Sequence, residues 1–256
     1  MDIRVGVCGL PRRIEVLSEK LDVVEVQETF YRPKPGKYPR WKKRAPGLEF
    51  TVKAWFLITH GWNRFLARKA RLDEAGLDLN TSNIGGLKPT AENFKLLEEV
   101  INAARELDAN LIIFQTPSSF KPLDINGISE FMRQVKEKGF TPVWEVRGST
   151  LEYKEELARI TGRTSGLVLS TDILRGFLPV DYGNNILYTR LHGLGGRQVN
   201  YKYKYTFNDL KRLLNQVLYY IENRMKTVSY VMFNNIYMFD DATSFKRVLE
   251  QLNLGK

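Results

Sequence analysis

Eight short runs rich in Val, Ile, Leu and aromatic residues alternate with amphipathic stretches along the chain. No other feature limits the fold as much, because a strand–helix alternation demands a parallel sheet covered by helices. The runs lie at 3–8, 23–29, 49–55, 110–115, 142–147, 166–171, 186–191 and 229–234. The stretches at 14–21, 90–107, 125–138, 151–161, 207–224 and 242–252 read as helices. Between 91 and 107, for example, Phe94, Leu97, Val100, Ile101 and Ala104 recur at helical spacing. Eight strands in 256 residues predict a (β/α)8 TIM barrel, one α/β domain over 1–256. Irregular helices are expected around strands two to three and six to seven; connection 57–89 is long and 172–185 leaves little room for a helix. A doubly wound sheet is the alternative. It usually has fewer strands and often a glycine fingerprint after the first, which Gly6-Val7-Cys8-Gly9-Leu10-Pro11 is not.

Composition closes off several classes. No apolar run approaches the roughly 20 residues of a membrane span, so no membrane partner is expected. The start of the chain lacks a basic head and long apolar stretch, which gives a cytoplasmic location as the expectation. Cys8 is the one cysteine, so an internal disulfide and a multi-cysteine zinc site are excluded.

The net charge of +10 is localised. Residues 32–71 hold twelve Lys/Arg and one acid, Glu49, while the rest of the chain is nearly neutral. The same region holds Trp41, Trp55 and Trp62. Basic heads interleaved with rings suit a polyanion, so nucleic acid is the expected partner of Lys34, Arg40, Lys42, Lys43, Arg44, Arg64, Arg68 and Lys69. A merely soluble basic face with core tryptophans is the competing reading. No dedicated protein partner is inferred.

Period-2 alternation sorts each strand into an apolar and a polar face. Glu25 and Gln27 oppose Val24 and Val26; Lys53 opposes Val52. Glu145 and Arg147 oppose Trp144 and Val146, and Tyr188, Arg190 and His192 oppose Leu187 and Leu191. Gln115, Asp172 and Asn234 end three further strands. If the apolar faces meet the helices, these polar groups converge on the C-terminal mouth, where such barrels place their sites. Glu25, Lys53, Glu145, Arg147, Arg190 and His192 are the expected catalytic set. Gln27, Gln115, Asp172, Tyr188 and Asn234 are expected to contact substrate, with Gly195 and Arg197 of a glycine-rich loop as a phosphate cradle. The competing reading is an ionic plug. Glu25, Glu145, Asp172 and His192 would suit Mg2+ or Mn2+ rather than zinc, although the adjacent cations oppose a metal. No GxSxG elbow supports a serine nucleophile.

Several segments together resemble a known family. Val24-Glu25-Val26-Gln27-Glu28-Thr29-Phe30-Tyr31 is similar to a second-strand motif that usually reads VEINSTFY. Val52-Lys53-Ala54 with Ile58-Thr59-His60, Phe114-Gln115-Thr116-Pro117-Ser118-Ser119-Phe120, Glu145-Val146-Arg147, Thr189-Arg190-Leu191-His192-Gly193 and Phe233-Asn234-Asn235 extend the likeness over nearly the whole chain. This pattern resembles the YecE-like family, domain of unknown function 72. Two departures stand out. Val7-Cys8-Gly9-Leu10 replaces a TSGW-like turn, and Ile236-Tyr237-Met238-Phe239 lacks the usual histidine. The resemblance implies a TIM barrel similar to the endonuclease IV and xylose isomerase folds, without the metal-ligand set of the former.

Three functions follow. The first is a nucleic-acid-processing enzyme, a nuclease or other phosphodiester-directed hydrolase, holding backbone on the basic strip and stacking bases on Trp41, Trp62 or Tyr201. The second is a small-molecule enzyme acting on a phosphorylated sugar or similar anion. The third is a non-catalytic nucleic-acid binder.

Overall fold

Each apolar run supplies one strand, and the six amphipathic stretches supply helices whose apolar stripes pack over the outside of the sheet. The computed structural model describes residues 2–73, 79–176, 178, 184–196 and 198–253. The strands are β1 Asp2–Cys8, β2 Val23–Val26, β3 Glu49–Lys53, β4 Leu111–Gln115, β5 Thr141–Glu145, β6 Val168–Thr171, β7 Ile186–Leu191 and β8 Val228–Phe233. All pair in parallel in chain order, and β1 also pairs with β8, so the sheet closes into a TIM barrel. The helices are α1 Ile14–Lys20, α2 Glu28–Tyr31, α3 Pro39–Arg44, α4 Phe56–Thr59, α5 Arg64–Ala70, α6 Ala91–Glu106, α7 Ile125–Glu137, α8 Lys154–Arg163, α9 Phe207–Asn223 and α10 Met238–Asn253.

The alternation produces two cores. Val7, Phe50, Val52, Phe114, Trp144 and Leu187 face outward and pack with the buried stripes of the helices, such as Phe131 and Val217. Cys8, Val23, Ile113, Val143, Tyr188 and Met232 face inward and fill the barrel. The larger helices also carry their own start signals. Thr90 caps α6, Asp124 caps α7, and Thr206 with Asp209 forms a capping box at α9.

Three strands end earlier than expected, β2 by three residues and β3 and β5 by two, and all three do so at the mouth. β2 stops at Val26 because the chain turns into α2, where Thr29 Oγ1 donates to the carbonyls of Val26 and Lys53 at 2.8 and 2.6 Å. β3 stops at Lys53 ahead of α4, and β5 stops at Glu145 ahead of a 3-10 turn over Gly148–Glu152. The long 57–89 connection carries α4 and α5. Residues 74–78 within it, and 177 and 179–183 of the 172–185 connection, lie outside the described residues. No helix among the described residues is long and apolar enough to cross a membrane.

Barrel closure needs one very close backbone approach. Gly6 pairs with Val23, and a Cβ on Gly6 would sit 2.1 Å from the Val23 carbonyl oxygen. Backbone must move to relieve that clash. Gly6→Ala is therefore expected to destabilise the fold by about 1–3 kcal/mol in urea unfolding; an unchanged midpoint would mean β1 and β2 are not held this tightly.

Candidate active site at the barrel mouth

Strand register brings the inward polar groups to two neighbouring levels. Cys8, Glu25 and Thr51 are partners across β1–β3, and Gln115, Glu145, Ser170 and Tyr188 across β4–β7. Arg190 lies two residues beyond Tyr188 on the same face of β7 and is fully buried. Its guanidinium bridges two carboxylates. One Nη donates to Glu25 at 2.8 Å and the other to Glu145. Glu25 is further held by Tyr188 Oη at 3.0 Å and by the Gln27 amide, and Tyr188 Oη pairs with Thr51 Oγ1 at 3.0 Å. The planar fork of arginine suits this double engagement better than a lysine would.

The protonation states follow from burial and neighbours. Burial favours protonated Glu145, but Arg190, His192, Arg147 and Lys53 outweigh it and hold the carboxyl at about 2. Burial likewise opposes charge on Arg190, and Glu145 and Glu25 override it, so its pKa is raised. His192 is pushed down to about 4 by burial, which the attraction of Glu145 does not offset; its Nε2 stands 3.4 Å from Glu145 without a hydrogen bond. Burial also lifts Asp172 to about 6, against the pull of the His192 N–H at 3.0 Å and the Arg175 guanidinium at 3.6 Å. An acid that titrates there exchanges protons near neutral pH.

Lys53 differs from the other charged groups. Its side chain is buried inside the mouth, and no carboxylate lies within ion-pair distance among the described residues. Its contacts are Gln27 Oε1 at 3.4 Å and the face of Phe30 at 4.0 Å. Burial and the nearby Arg190 push its pKa down to about 7, despite Glu25 and Glu145. A ring face offers an ammonium about 0.5–2 kcal/mol. Burying an ion costs several kcal/mol, so the neutral form gains.

Above this layer opens a cavity of about 360 Å3. Glu145, Arg147, Thr171, Asp172, Arg175 and His192 supply its polar lining, with Leu151 and Val199 as apolar wall. Arg147 Nε is buried and without a hydrogen-bond partner. Arg175 is committed: it donates to the carbonyls of Gly193 and Gly195 and lies beside Asp172.

Of the expected catalytic set, Glu145, Arg147 and His192 line the cavity, while Glu25, Lys53 and Arg190 sit buried beneath or beside it. Asp172 lines it too; Tyr188 lies in the barrel interior. Gln27 borders a separate cavity of about 220 Å3 with Gly9, Leu10 and Trp41. Gln115 is buried and Asn234 half-buried at the ends of β4 and β8. In the glycine loop the Gly193 amide and two carbonyls are already engaged. The Gly193 N–H donates to Tyr205 Oη at 2.8 Å, and the Gly193 and Gly195 carbonyls face Arg175. Arg197 lies outside the described residues. Arg175 and Thr171 were not among the expected site residues: Arg175 lies in a turn, which no periodicity marks, and Thr171 ends β6 between the polar Ser170 and Asp172. His60, read as structural, contacts Thr59 Oγ1 through Nδ1 at 2.8 Å and packs edge-on against Phe30. Burial, with Lys53 and Arg147 nearby, lowers its pKa to about 4.

The basic strip divides between α3 and α5. Lys42 pairs with Asp108 at 3.4 Å, Arg44 with Glu15 at 2.5 Å and Lys37 with Glu28 at 2.5 Å. Lys34, Arg40, Lys43, Arg64, Arg68 and Lys69 are exposed. Trp55 is buried; Trp41 and Trp62 are half-buried against the core, while Tyr201 is exposed with its ring edge toward His192.

These residues do not suit a divalent cation. Both oxygens of Glu25 are engaged by Arg190, Tyr188 and Gln27 and Oε2 of Glu145 by Arg190, and no cluster of three His, Cys, Asp or Glu forms among the described residues. The expectation of Mg2+ or Mn2+ is dropped for that reason.

The sequence matches the family described as "Protein of unknown function DUF72" over residues 8–256. The chain belongs to the DUF72 family. No curated protein matches it. Among solved structures, a DUF72 family protein from Thermotoga maritima is 20% identical, with TM-score 0.66, covering 98% of this chain and 100% of that one. Another from Enterococcus faecalis is 17% identical, with TM-score 0.68 and coverage of 97% and 98%. Endonuclease IV from Thermus thermophilus shares the fold at 14% identity, with TM-score 0.52 and coverage of 97% and 99%.

Removing Arg190 leaves two buried carboxylates unpaired. Arg190→Met is expected to cost about 3–5 kcal/mol in denaturant unfolding at pH 7. Glu145 is depressed from 4.5 to about 2, so the stability it gains in the native site is full above pH 4.5 and lost as pH falls toward 2. The gap between wild type and variant should narrow over that window. A loss below about 1 kcal/mol at pH 7 would contradict the assigned pairing.

Proposed function

We propose that this DUF72 protein is an enzyme that binds a small phosphorylated or otherwise anionic metabolite at the barrel mouth and moves protons on it. The observation carrying the reading is Arg147: its buried Nε has no partner and its side chain lines a cavity of about 360 Å3. That volume falls within the roughly 300–1,000 Å3 of small-ligand sites. A guanidinium facing a cavity recognises phosphate or carboxylate through paired N–H groups. Asp172, with a pKa raised to about 6, is the proton-transfer group. Glu145 holds Arg190 in place, and neutral His192, whose Nε2 has no partner, offers a second acceptor or donor to the ligand.

The test is thermal unfolding in the presence of a panel of sugar phosphates. A ligand at 100 times its Kd adds about 2.7 kcal/mol, or roughly 5–10 °C in a chain near this length. We expect such a rise with at least one compound, and its loss in Arg147→Met. No shift with any phosphorylated compound overturns the reading.

A second reading, phosphodiester chemistry on nucleic acid, is favoured by the exposed Arg40, Lys43, Arg64 and Arg68 together with Tyr201 beside His192. The fold likeness to endonuclease IV fits it without carrying it. Three of the strip's cations are already paired with acids, which weakens the surface as a polyanion track. Gel shift at low salt that is lost in an Arg64→Ala/Arg68→Ala variant would favour this reading; no shift would dismiss it.

A further inference from the structure

We propose that Lys53 is a nucleophile that forms an imine with an aldehyde or ketone bearing the anionic group assigned to the mouth. The proposal rests on the anion-site reading above and names the substrate class, an anionic carbonyl compound.

The geometry starts with partner choice. Three cations, Lys53, Arg147 and Arg190, share the mouth with the buried carboxylates Glu25 and Glu145. Arg190 takes both carboxylates. Lys53 ends β3 with its amine inside the mouth, where it meets an amide oxygen at 3.4 Å and a phenyl face at 4.0 Å. An amine placed only to balance charge would sit on an acid. This one is set among apolar surface and beside other cations, the two conditions that keep a lysine unprotonated and nucleophilic. Burial and Arg190 hold its pKa at about 7, so a large share of Lys53 is free amine at neutral pH. Arg147 connects the amine to the cavity. It acts on Lys53 electrostatically and lines the space where the ligand's anionic group would sit.

The step balances without an oxidant or metal. The Nζ lone pair adds to the carbonyl carbon, and a proton moves from nitrogen to the carbonyl oxygen to give a carbinolamine. That hydroxyl then leaves with the second nitrogen hydrogen as one water, and the C=N bond forms. A proton from solvent converts the imine to the iminium, which withdraws electrons from the neighbouring carbon. Asp172 is placed at the same mouth to exchange a proton there.

The experiment traps the imine in the full-length protein. Glycolaldehyde phosphate and glycolaldehyde are each added with sodium cyanoborohydride at pH 7, and adducts are located by peptide mass mapping. We expect one adduct, on Lys53, forming on the order of a hundredfold faster than on surface lysines, which are almost fully protonated. The phosphorylated aldehyde should react faster than glycolaldehyde. The Lys53 rate should rise about tenfold per pH unit below 7 and level off above it. The Lys53→Arg variant should lose the adduct. Because the site of labelling is read in the wild-type protein, the test survives a variant that fails to fold. Equal labelling of Lys53 by both aldehydes upholds the nucleophile and overturns the anion site. An unlabelled Lys53 in a protein that glycolaldehyde phosphate still stabilises overturns the nucleophile and leaves the anion site standing.

Discussion

One buried guanidinium organises the mouth of this barrel. Arg190 reaches from β7 to Glu25 on β2 and Glu145 on β5, tying three strands across the barrel interior. Each of the three ions is costly to bury alone, and together they are tolerable because both arms of the arginine fork find a carboxylate. The consequence for chemistry lies in what this arrangement leaves over. Both acids are spent on one cation, so Lys53 is buried without an acid and Arg147 faces the cavity. An ionic plug would pair every charge. This mouth leaves a lysine, an arginine Nε and a histidine Nε2 with capacity to spare.

The opposite end of the barrel shows what a purely structural cluster looks like. Arg4 donates to Asp2, Glu49 and Tyr230, and Tyr230 Oη donates to Glu49 at 2.7 Å. The groups satisfy one another and close the floor. Both ends are built from the same kinds of residue, but the C-terminal end opens into a cavity lined by Arg147 and His192, each with an unsatisfied ring or guanidinium nitrogen. In barrels of this kind the C-terminal end is where chemistry is placed.

Much of this was legible before any coordinates. The alternation Tyr188, Arg190, His192 against Leu187 and Leu191 shows which face of β7 enters the barrel, and the structure agrees. Eight runs with helices between them left few closures other than a barrel. Partner choice was not legible, because Arg190 meets Glu25 across 165 positions of sequence. Nor did the sequence show that acids from remote segments, Asp108 and Glu15, would reach into the basic strip. Strand ends were overrun at β2, β3 and β5, where the chain leaves the ladder for short helices or a 3-10 turn that strand periodicity does not mark. Arg175 was missed for a related reason: its role is to hold two carbonyls of the glycine loop, and turn residues carry no period.

The account stands on Arg190 outcompeting Lys53 for both glutamates, and the charge state of Lys53 reports that competition directly. NMR titration of isotope-labelled lysine side chains in the wild-type protein measures it. The account predicts that the Lys53 resonance titrates near pH 7. Titration near the ordinary 10.5 would show that a glutamate serves the lysine after all, and would contradict the organisation of the mouth described here.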